Sequence, residues 1–360
     1  MTIFSEAATS ADLDALRHHG DRETGPGLVD LAVNVRAHTP PAWLTRRLAD
    51  VDLAAYPDGI RARAVVAARH RRNADEVLLT AGAAEAFVLI ARAFTPRLAV
   101  VVHPQFTEPE VALRAAGHPV QRVVLAWPFT FDPALVPVDA DLVVIGNPTN
   151  PTAVLHSAAS IAALARPGRL VVVDEAFADC TVGEPESLAA PHSPAAPHSL
   201  AATWDLPGLV VVRSLTKTWG LAGLRAGYVL AAADLVARLA EAQPPWAVSS
   251  PALVACEACS APDAIAESEA WARGLVQDRD HLLGLLAGIA GVQVVPGAAA
   301  SFVLFRVPSS DAREALRRKG FAVRRGETFP GLDATWLRVA VRDRRTSGAF
   351  ADALRQVLDR

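Results

Sequence analysis

Residues 214–227 read SLTKTWGLAGLRAG and directly follow the apolar run LVVVR. Lys217 in this stretch is one of two lysines in the 360-residue chain, and the other 33 of the 35 lysine and arginine residues are arginine. Because the composition favours arginine so strongly, a lysine here indicates chemistry that arginine lacks. Burial beside a packed sheet lowers the pKa of a lysine and frees its amine to form Schiff bases with carbonyl compounds. A lysine that only extends from a strand end to solvent is the alternative.

Hydroxyl, guanidinium and glycine residues surround Lys217. Ser214 lies three residues before it and Arg225 eight residues after it. A hydroxyl and a guanidinium on either side of a reactive lysine suit a phosphate ester that is anchored beside an aldehyde. The backbone can turn and approach a ligand closely at three glycines, which are Gly220, Gly223 and Gly227.

Short apolar runs recur along the chain, and alanine-rich helical patterns such as AAEAFVLIARAF (83–94) lie between them. Most runs are apolar throughout, which indicates strands covered on both faces, and their alternation with helices predicts an α/β domain with a mainly parallel sheet. Ligands of such sheets bind beyond the C-terminal ends of the strands. The predicted strands lie in EVLLT (76–80), RLAVVVH (97–103), DLVVIGNP (141–148), RLVVVDEAF (169–177), LVVVRSLTK (209–217) and AGYVLA (226–231).

The pattern changes after about residue 245. A long helical stretch over roughly 250–290 leads into strands within 292–308 and 335–342, with a helix over 311–320 between them. This order predicts a smaller α+β domain. We therefore divide the chain into an N-terminal arm that contributes to the small domain (1–45), a large domain (46–245) and a small C-terminal domain (246–360).

Composition and charge limit the classes of protein to which this chain can belong. Hydrophobic residues make up 51% and charged residues 20% of the chain, and the net charge is −3. These values fit a soluble globular protein and give no reason to expect a nucleic-acid partner. No apolar run reaches the roughly 20 residues of a membrane helix, and the N-terminus lacks the features of a secretory signal. Three cysteines cannot form a disulfide framework, so a cytoplasmic location is expected.

Three segments carry groups for which a surface or structural role is expected. RHRRN (69–73) is interpreted as a solvated helix face. AAPHSPAAPHSLAA (189–202) is interpreted as an exposed loop, so His192 and His198 are not expected to bind a metal. CEAC (256–259) has no second cysteine pair, and its two cysteines are interpreted as helix residues one turn apart.

Three polar segments follow predicted strands. Asp174 ends the run LVVVD, and a carboxylate buried there is costly unless it is paired, for example with a pyridinium nitrogen. Asn150 lies in NPTNPTA (147–153), where prolines fix the turn. TAGAAEA (80–86) predicts a strand–glycine–helix junction, and helix N-termini bind phosphate. A capping aspartate, an ordinary turn and a plain strand–helix connection are the respective alternatives.

The order of these segments resembles that of the class I/II aminotransferases of fold type I, which depend on pyridoxal 5′-phosphate (PLP). The resemblance covers nearly the whole chain, from TAGAAEA through NPTNPTA and DEAF to SLTK and Arg225. It implies an α/β fold with a large, mainly parallel domain and a smaller α+β domain. It also implies PLP as the cofactor and a homodimer as the assembly.

The resemblance also implies roles for individual residues. Lys217 would carry the cofactor and Asp174 would contact its ring nitrogen. Asn150 would lie beside the ring hydroxyl, Phe106 would stack on the ring, and Arg338 in LRVAVR would bind the substrate carboxylate. The residues expected to hold the cofactor phosphate are Ser214, Arg225, the backbone of Gly82, Ala83 and Ala84, and Tyr56 reaching in from the other subunit.

A narrower resemblance is to the L-threonine-O-3-phosphate decarboxylases of cobalamin biosynthesis. It is carried by RSLTK, DEAF, PPWAVSSPAL (244–253), RRGETFPGLD (324–333), and the N-terminal RHHGD and LAVNV. Histidinol-phosphate aminotransferases share GLAGLRAG almost as well. The narrower resemblance implies that His19 and Asn34 approach the substrate and that Arg324 and Arg325 supply charge for its phosphate.

Several positions depart from the usual aminotransferase pattern. Phe177 stands where a tyrosine is usual, so one hydrogen bond to the ring hydroxyl is absent, which favours the decarboxylase branch. The entry turn at 36–39 reads RAHT. The GAA of the phosphate cup has no side-chain hydroxyl, so backbone amides act alone there. NPTNPTA ends in Ala153 instead of glycine.

Three functions follow from these residues. The first expectation is a PLP-dependent decarboxylase of L-threonine phosphate in cobalamin biosynthesis. An aminotransferase of the histidinol-phosphate kind is the alternative, because the same residues serve both reactions and only the orientation of the substrate differs. A non-catalytic binding protein that keeps the fold is a third reading, which the presence of Lys217, Asp174 and Arg225 disfavours.

Overall fold

A computed structural model describes residues 3–4, 14–189 and 206–359. In chain order its strands are β1 (Ile3–Phe4), β2 (Val29–Asp30), β3 (Val77–Thr80), β4 (Ala99–His103), β5 (Val120–Val124), β6 (Leu142–Gly146), β7 (Leu170–Asp174), β8 (Leu209–Ser214), β9 (Gly227–Ala231), β10 (Gln293–Val294), β11 (Phe302–Arg306), β12 (Phe321–Ala322), β13 (Arg324–Arg325) and β14 (Trp336–Ala340).

The α-helices begin and end as follows: α1 (Ala42–Ala49), α2 (Ile60–Arg69), α3 (Gly82–Ala93), α4 (Glu108–Ala115), α5 (Ala158–Ala162), α6 (Thr216–Trp219), α7 (Ala233–Glu241), α8 (Ser250–Cys259), α9 (Pro262–Ala287), α10 (Ala312–Arg318) and α11 (Arg344–Leu358). Short 3₁₀ turns add to these, and one of them spans Gly20–Glu23. No helix among the described residues is long and apolar enough to cross a membrane.

The large sheet has the strand order β1-β5-β4-β6-β7-β8-β9-β3. The neighbours from β5 to β8 are parallel, whereas β1, β9 and β3 join antiparallel. Alternate residues of the central strands pack on different faces, since Val101 and Val144 lie with α3 whereas Val100 and Val143 lie with α2 and α8. Burial on both faces explains why these strands are apolar throughout. The prediction of an α/β domain with a mainly parallel sheet is confirmed.

A second sheet follows in the C-terminal third, with the order β10-β11-β14-β13 and antiparallel neighbours. It packs against α9, α10 and α11 around an apolar cluster that includes Phe302, Phe305 and Phe350. β2 pairs in parallel with β12, so residues 29–30 run beside residues 321–322. This pairing draws the N-terminal part of the chain to the C-terminal third.

Some boundaries differ from those that the sequence predicted. Strand β8 ends at Ser214, and Lys217 lies in α6, one helical turn that ends at the left-handed Gly220. The helical stretch 250–290 is divided into α8 and α9, because Pro262 has no N–H to continue a helix and begins the second one. The predicted loop 189–202, with His192 and His198, falls mostly outside the described residues, which include Ala189 and resume at Leu206.

The interpretation of RHRRN as a solvated helix face is wrong for three of its five residues, whereas Arg71 and Asn73 are exposed. Arg69, His70 and Arg72 are buried. Arg69 Nη2 donates to Asp179 Oδ1 at 2.9 Å, and His70 Nε2 lies 2.9 Å from the hydroxyl of Tyr228. These polar side chains can be buried because they have polar partners within the protein.

Candidate active site

The sheet register brings the predicted phosphate-binding residues to one edge. Gly227 is paired with Thr80 on β3 and with Ser214 on β8, so the ends of three strands meet there. A Cβ atom on Gly227 would lie 3.0 Å from the Cα of Gly82 and 2.7 Å from the carbonyl oxygen of Arg213. Only glycine permits this close approach.

Gly82 and Arg225 face each other across this edge. Gly82 opens α3 with a φ of +77°, and a Cβ there would lie 2.8 Å from Arg225 Nη2. Ala83 and Ala84 are half-buried in the first turn of the same helix. With the buried Ser214, which is paired with Gly227, these groups place backbone N–H groups, one hydroxyl and one guanidinium at the same end of the sheet. We call this group the cradle, and it is the donor set that phosphate prefers.

Lys217 lies half-buried beyond the cradle. Its pKa is lowered to about 8, first by burial and then by the charges of Arg338 and Arg225. Asp174 and Asp21 act in the opposite direction. A lysine with this pKa gives a substantial fraction of neutral amine near physiological pH, as a nucleophile or a general base requires.

Asp174 ends β7 and is 9% exposed. Burial raises its pKa to about 6, against an ordinary value of 3.8, although Lys217 and a backbone hydrogen bond lower it. Among the described residues, its carboxylate accepts one hydrogen bond, from the N–H of Ala176 at 3.1 Å. A buried carboxylate with so few partners fits a cationic ligand group that completes its environment.

A buried ion-pair network supports the residues next to Asp174 and Ser214. Arg213, one residue before Ser214, donates to Glu175 Oε2 at 3.0 Å and to Asp179 Oδ1 and Glu184 Oε2 at 2.6 Å each. The sequence interpretation did not identify this network, because its partners lie 29–38 residues from Arg213. The arginine inside an otherwise apolar strand was the available signal.

Arg338 on β14 is brought to the same region. It is buried, and its guanidinium donates to the oxygens of Asn150 and Ala32, the latter at 2.6 Å. With its amide turned so that the oxygen faces the guanidinium, Asn34 accepts from Arg338 Nη1 at 3.0 Å. Burial holds the pKa of Arg338 well below its usual value. Amide and carbonyl partners leave the positive charge available to an anionic ligand.

Aromatic rings line the region between Lys217 and Arg338. Phe177 is buried and meets the edge of Phe302 at 4.9 Å between ring centres, and Lys217 Nζ lies 6.0 Å from the centre of the Phe177 ring. Phe302 in turn lies 5.2 Å from the Arg338 guanidinium carbon. Phe177 therefore presents carbon where a tyrosine would present a hydroxyl.

Phe106, the predicted stacking residue, is half-buried and contacts the ring of His19 at 5.6 Å. Nε2 of His19 lies 2.5 Å from Glu108 Oε1. His19 therefore lies next to the predicted cofactor-stacking ring, although 87 residues separate the two in sequence. Glu108 was not among the residues that the sequence nominated.

The two arginines predicted for a substrate phosphate have different surroundings. Arg324 is buried, is paired with Arg338 across β13 and β14, and donates to the carbonyl oxygen of His18 at 2.5 Å. Burial lowers its pKa to about 10. Arg325 donates to Glu23 Oε1 at 2.6 Å, so its charge is already neutralised by a carboxylate. Arg324 Nη1 also lies 3.9 Å from Glu23 Oε1, a longer contact than that of Arg325. The structure thus brings Arg324 towards Arg338 and pairs Arg325 more closely with Glu23.

Two further predictions concern residues away from this cluster. Tyr56 is 76% exposed, and its ring lies on that of Trp246 at 4.6 Å between centres. Cys256 and Cys259 are both buried in α8, in agreement with their interpretation as helix residues one turn apart. Across residues 14–189 and 206–359, no group of three or more side chains suited to binding a metal occurs.

Comparisons with known proteins identify the family and agree with the fold. The family model for aminotransferase class I and II matches residues 26–354. The chain is 49% identical to a histidinol-phosphate aminotransferase from Mycobacterium tuberculosis, over 94% of this chain and 92% of the relative. It is 33% identical to a threonine-phosphate decarboxylase from Sinorhizobium, over 81% of each. The solved L-threonine-O-3-phosphate decarboxylase from Porphyromonas gingivalis has a TM-score of 0.78 at 24% identity, covering 92% of this chain and 99% of that one.

The fold and the cluster around Lys217 define a fold-type I, PLP-dependent enzyme. The chain belongs to the aminotransferase class I and II family. The residues present fit the cofactor. A cradle that a Cβ on Gly82 would fill faces Arg225, Lys217 has a pKa of about 8, and the buried Asp174 lacks a cationic hydrogen-bond donor among the described residues. These three features match a phosphate, an aldehyde and a pyridinium nitrogen.

Proposed function

We propose that this protein is an aminotransferase that acts on a phosphorylated amine of the histidinol-phosphate kind. The observation that carries the proposal is the 49% identity to the mycobacterial histidinol-phosphate aminotransferase over nearly the whole length of both chains. The relatives thus favour the alternative that the sequence left open over the decarboxylase that it placed first. Arg338 supports the proposal, because a buried guanidinium with amide and carbonyl partners can bind the anion of either an amino donor or an amino acceptor.

Each residue of the cluster would have a separate role in such a reaction. Ser214, Arg225 and the backbone of 82–84 would hold the cofactor phosphate, and Asp174 would face the ring nitrogen. When bound, PLP supplies a protonated ring that withdraws electrons from the substrate Cα. Lys217 Nζ would take the proton from the substrate Cα and deliver it to the carbon that was the aldehyde of the cofactor, for which its lowered pKa is suited. Arg338 orients the substrate by its anionic group.

Decarboxylation of L-threonine phosphate is the second candidate. Phe177 favours it, because the ring hydroxyl of the cofactor then lacks the tyrosine partner that the aminotransferase pattern supplies. The 33% identity to the Sinorhizobium decarboxylase is consistent with it. In that reaction Lys217 would deliver a proton to Cα after the carboxylate leaves.

The two candidates are separated by one pair of incubations with the PLP-loaded protein. We expect turnover of histidinol phosphate when 2-oxoglutarate is present, with glutamate as the second product. L-Threonine phosphate without a keto acid should stay unchanged by mass spectrometry. Appearance of aminopropanol phosphate and CO₂ in that second incubation would overturn the aminotransferase proposal and establish the decarboxylase.

We also propose a homodimer, in which Tyr56 reaches the cofactor phosphate of the other subunit, and a cytoplasmic location. The surface around Tyr56 supports the dimer, because Leu53, Ile60 and Trp246 are all between 61% and 77% exposed. Large apolar side chains exposed together mark interaction surfaces. Light scattering should give twice the mass of one chain, and a fully active monomer would contradict this assembly.

A further inference from the structure

Residues 18–23, which we call the rim segment, lie against the two buried arginines of the candidate site. The carbonyl oxygen of His18 accepts from Arg324 Nη2 at 2.5 Å. A Cβ atom on Gly20 would lie 2.5 Å from the carbonyl oxygen of Ala32 and 3.5 Å from Arg338 Nη2. The rim segment therefore passes directly over the groups expected to bind the substrate anions.

The C-terminal end of the rim segment is fixed to the small domain. Glu23 is 2% exposed and accepts from Arg325 Nε at 2.6 Å and from Arg313 Nη1 at 3.1 Å. Its carbonyl oxygen accepts from Arg317 Nη1 at 2.6 Å. Several charge-assisted hydrogen bonds on one buried residue make this end rigid.

The N-terminal end contacts the large domain through three consecutive residues, Phe106, Thr107 and Glu108. Just before the rim segment, the hydroxyl of Thr107 donates to the carbonyl oxygen of Leu16 at 2.5 Å. Glu108 holds the imidazole of His19 at 2.5 Å, beside the ring of Phe106. The side chains of His19 and Glu108 are 34% and 28% exposed, so a ligand can reach the pair.

We propose that Glu108 is a positioning residue that orients His19 towards the phosphate of the substrate. The inference rests on the proposed function, in which the substrate carries a phosphate. A half-exposed histidine without a partner populates several rotamers, and ordering it costs entropy when a ligand binds. A hydrogen bond from Nε2 to a carboxylate fixes the orientation of the ring. In the imidazolium form both ring nitrogens are donors, so Nδ1, which has no hydrogen-bond partner in the described part of the chain, can donate to a phosphate oxygen while Nε2 donates to Glu108.

The segment from Phe106 to Glu108 connects the proposed substrate contact to the cofactor site. Phe106 is the predicted stacking residue for the cofactor, and Glu108 lies two residues further on, at the start of α4. A substrate without a phosphate has no need of His19. Loss of Glu108 should therefore weaken binding of the phosphorylated amine and leave 2-oxoglutarate unaffected. A purely structural role would weaken both.

The test compares Glu108→Ala, Glu108→Gln and His19→Ala in the PLP-loaded enzyme. We expect Glu108→Ala to raise KM for histidinol phosphate about tenfold, with kcat and the KM for 2-oxoglutarate within about twofold. Glu108→Gln keeps an acceptor oxygen and should retain most of the affinity. In a His19→Ala background, removing Glu108 should have no further effect. Asp352→Ala, an exposed change on α11, is the matched control.

An equal rise of both KM values in Glu108→Ala, or a full additional loss in the double variant, would overturn the proposal. Hydrogen–deuterium exchange of the peptide 17–24 gives a readout besides activity, and it should be faster in Glu108→Ala than in the wild type, Glu108→Gln and Asp352→Ala. Unchanged exchange in Glu108→Ala would also overturn the proposal. If the wild type does not turn over histidinol phosphate, the proposed function fails separately. The KM comparison is then made with L-threonine phosphate.

Discussion

The candidate site has two halves that are built differently. The cofactor half consists of strand ends of the large sheet, with Asp174 and Lys217 as its ionisable groups. The substrate half consists of the rim segment and the arginines of β13 and β14. In the cofactor half, burial shifts each pKa towards the uncharged form, raising that of Asp174 to about 6 and lowering that of Lys217 to about 8.

In the substrate half, one pair shows the opposite behaviour. Burial alone would raise the pKa of Glu23, but hydrogen bonds from Arg325 and His18 hold it below its usual value. The bond to Glu23 raises the pKa of Arg325. This pair is stable in its charged form without a ligand, whereas the groups of the cofactor half lack such partners. The difference indicates that the ionisable groups of the cofactor half find their partners only when a ligand binds. Part of the charge in the substrate half is already paired within the protein.

The largest effect is expected at Lys217. Lys217→Ala removes the only amine in the cluster, so turnover should fall by at least about a thousandfold and the visible absorbance of lysine-bound PLP should be lost. Lys319→Ala is the matched control, because Lys319 is the other lysine of the chain and its Nζ bonds the exposed Gln356 at 2.6 Å. A Lys217→Ala variant with normal turnover and spectrum would show that the cofactor half has been assigned to the wrong lysine.

Asp174 should show opposite effects on activity and stability. Asp174→Asn removes the charge that we propose keeps the cofactor ring protonated, so turnover should fall about a hundredfold or more. In cofactor-free protein the same change should be stabilising. The pKa of Asp174 is about 6 when folded against 3.8 ordinarily, so its ionisation lowers the free energy of unfolding as pH rises from about 4 to 6. Asparagine removes this loss, worth at most about 3 kcal/mol.

Thermal or urea unfolding of the cofactor-free proteins at several pH values measures how the free energy of unfolding depends on the ionisation of Asp174. The curves of the wild type and Asp174→Asn should coincide near pH 4 and separate by pH 7, where the variant should be more stable. Curves that stay together across this range would mean that the buried carboxylate is already compensated. The comparison between the two halves would then be wrong.

A smaller effect is expected at the phosphate cradle. Gly82→Ala places a side chain in the left-handed region and 2.8 Å from Arg225 Nη2, so the guanidinium must move out of the cradle. The affinity for PLP should fall about tenfold in a spectroscopic titration. Gly223→Ala, in which no atom lies within 4 Å of the added Cβ, should bind PLP within about twofold of the wild type. Equal affinities in both variants would show that the cradle does not touch the phosphate.

Much of the cofactor half could be predicted from the sequence, because it depends on local features. Lys217 and Asp174 each follow an apolar run, and parallel strands carry such residues to one edge of the sheet. The exact position of Lys217, in a helical turn past the strand, could not be predicted from the run LVVVRSLTK, since an apolar pattern does not mark where the ladder ends.

The substrate half could be predicted only in part, because its contacts join distant parts of the chain. Arg325 and Glu23 are 302 residues apart, and Glu108 and His19 are 89 apart. Resemblance to a family nominated Arg325 and His19 but gave no information about their partners. Similarly, the buried role of Arg69 depends on Asp179, which is 110 residues away. Charge pairs of this kind are set by tertiary packing and leave no periodic signal in the sequence.

The smallest effect is expected at Arg325, and it tests the substrate half most directly. Arg325→Gln should raise KM for the phosphorylated substrate less than about threefold, because the guanidinium it removes already neutralises Glu23. Arg324→Gln is the matched comparison and should raise KM more, since Arg324 lies opposite Arg338 and its hydrogen bond goes to a carbonyl oxygen. A tenfold rise in Arg325→Gln would mean that Arg325 leaves Glu23 when substrate binds. The substrate phosphate would then replace Glu23 as the partner of Arg325. The substrate half, like the cofactor half, would therefore need its ligand to pair its charges.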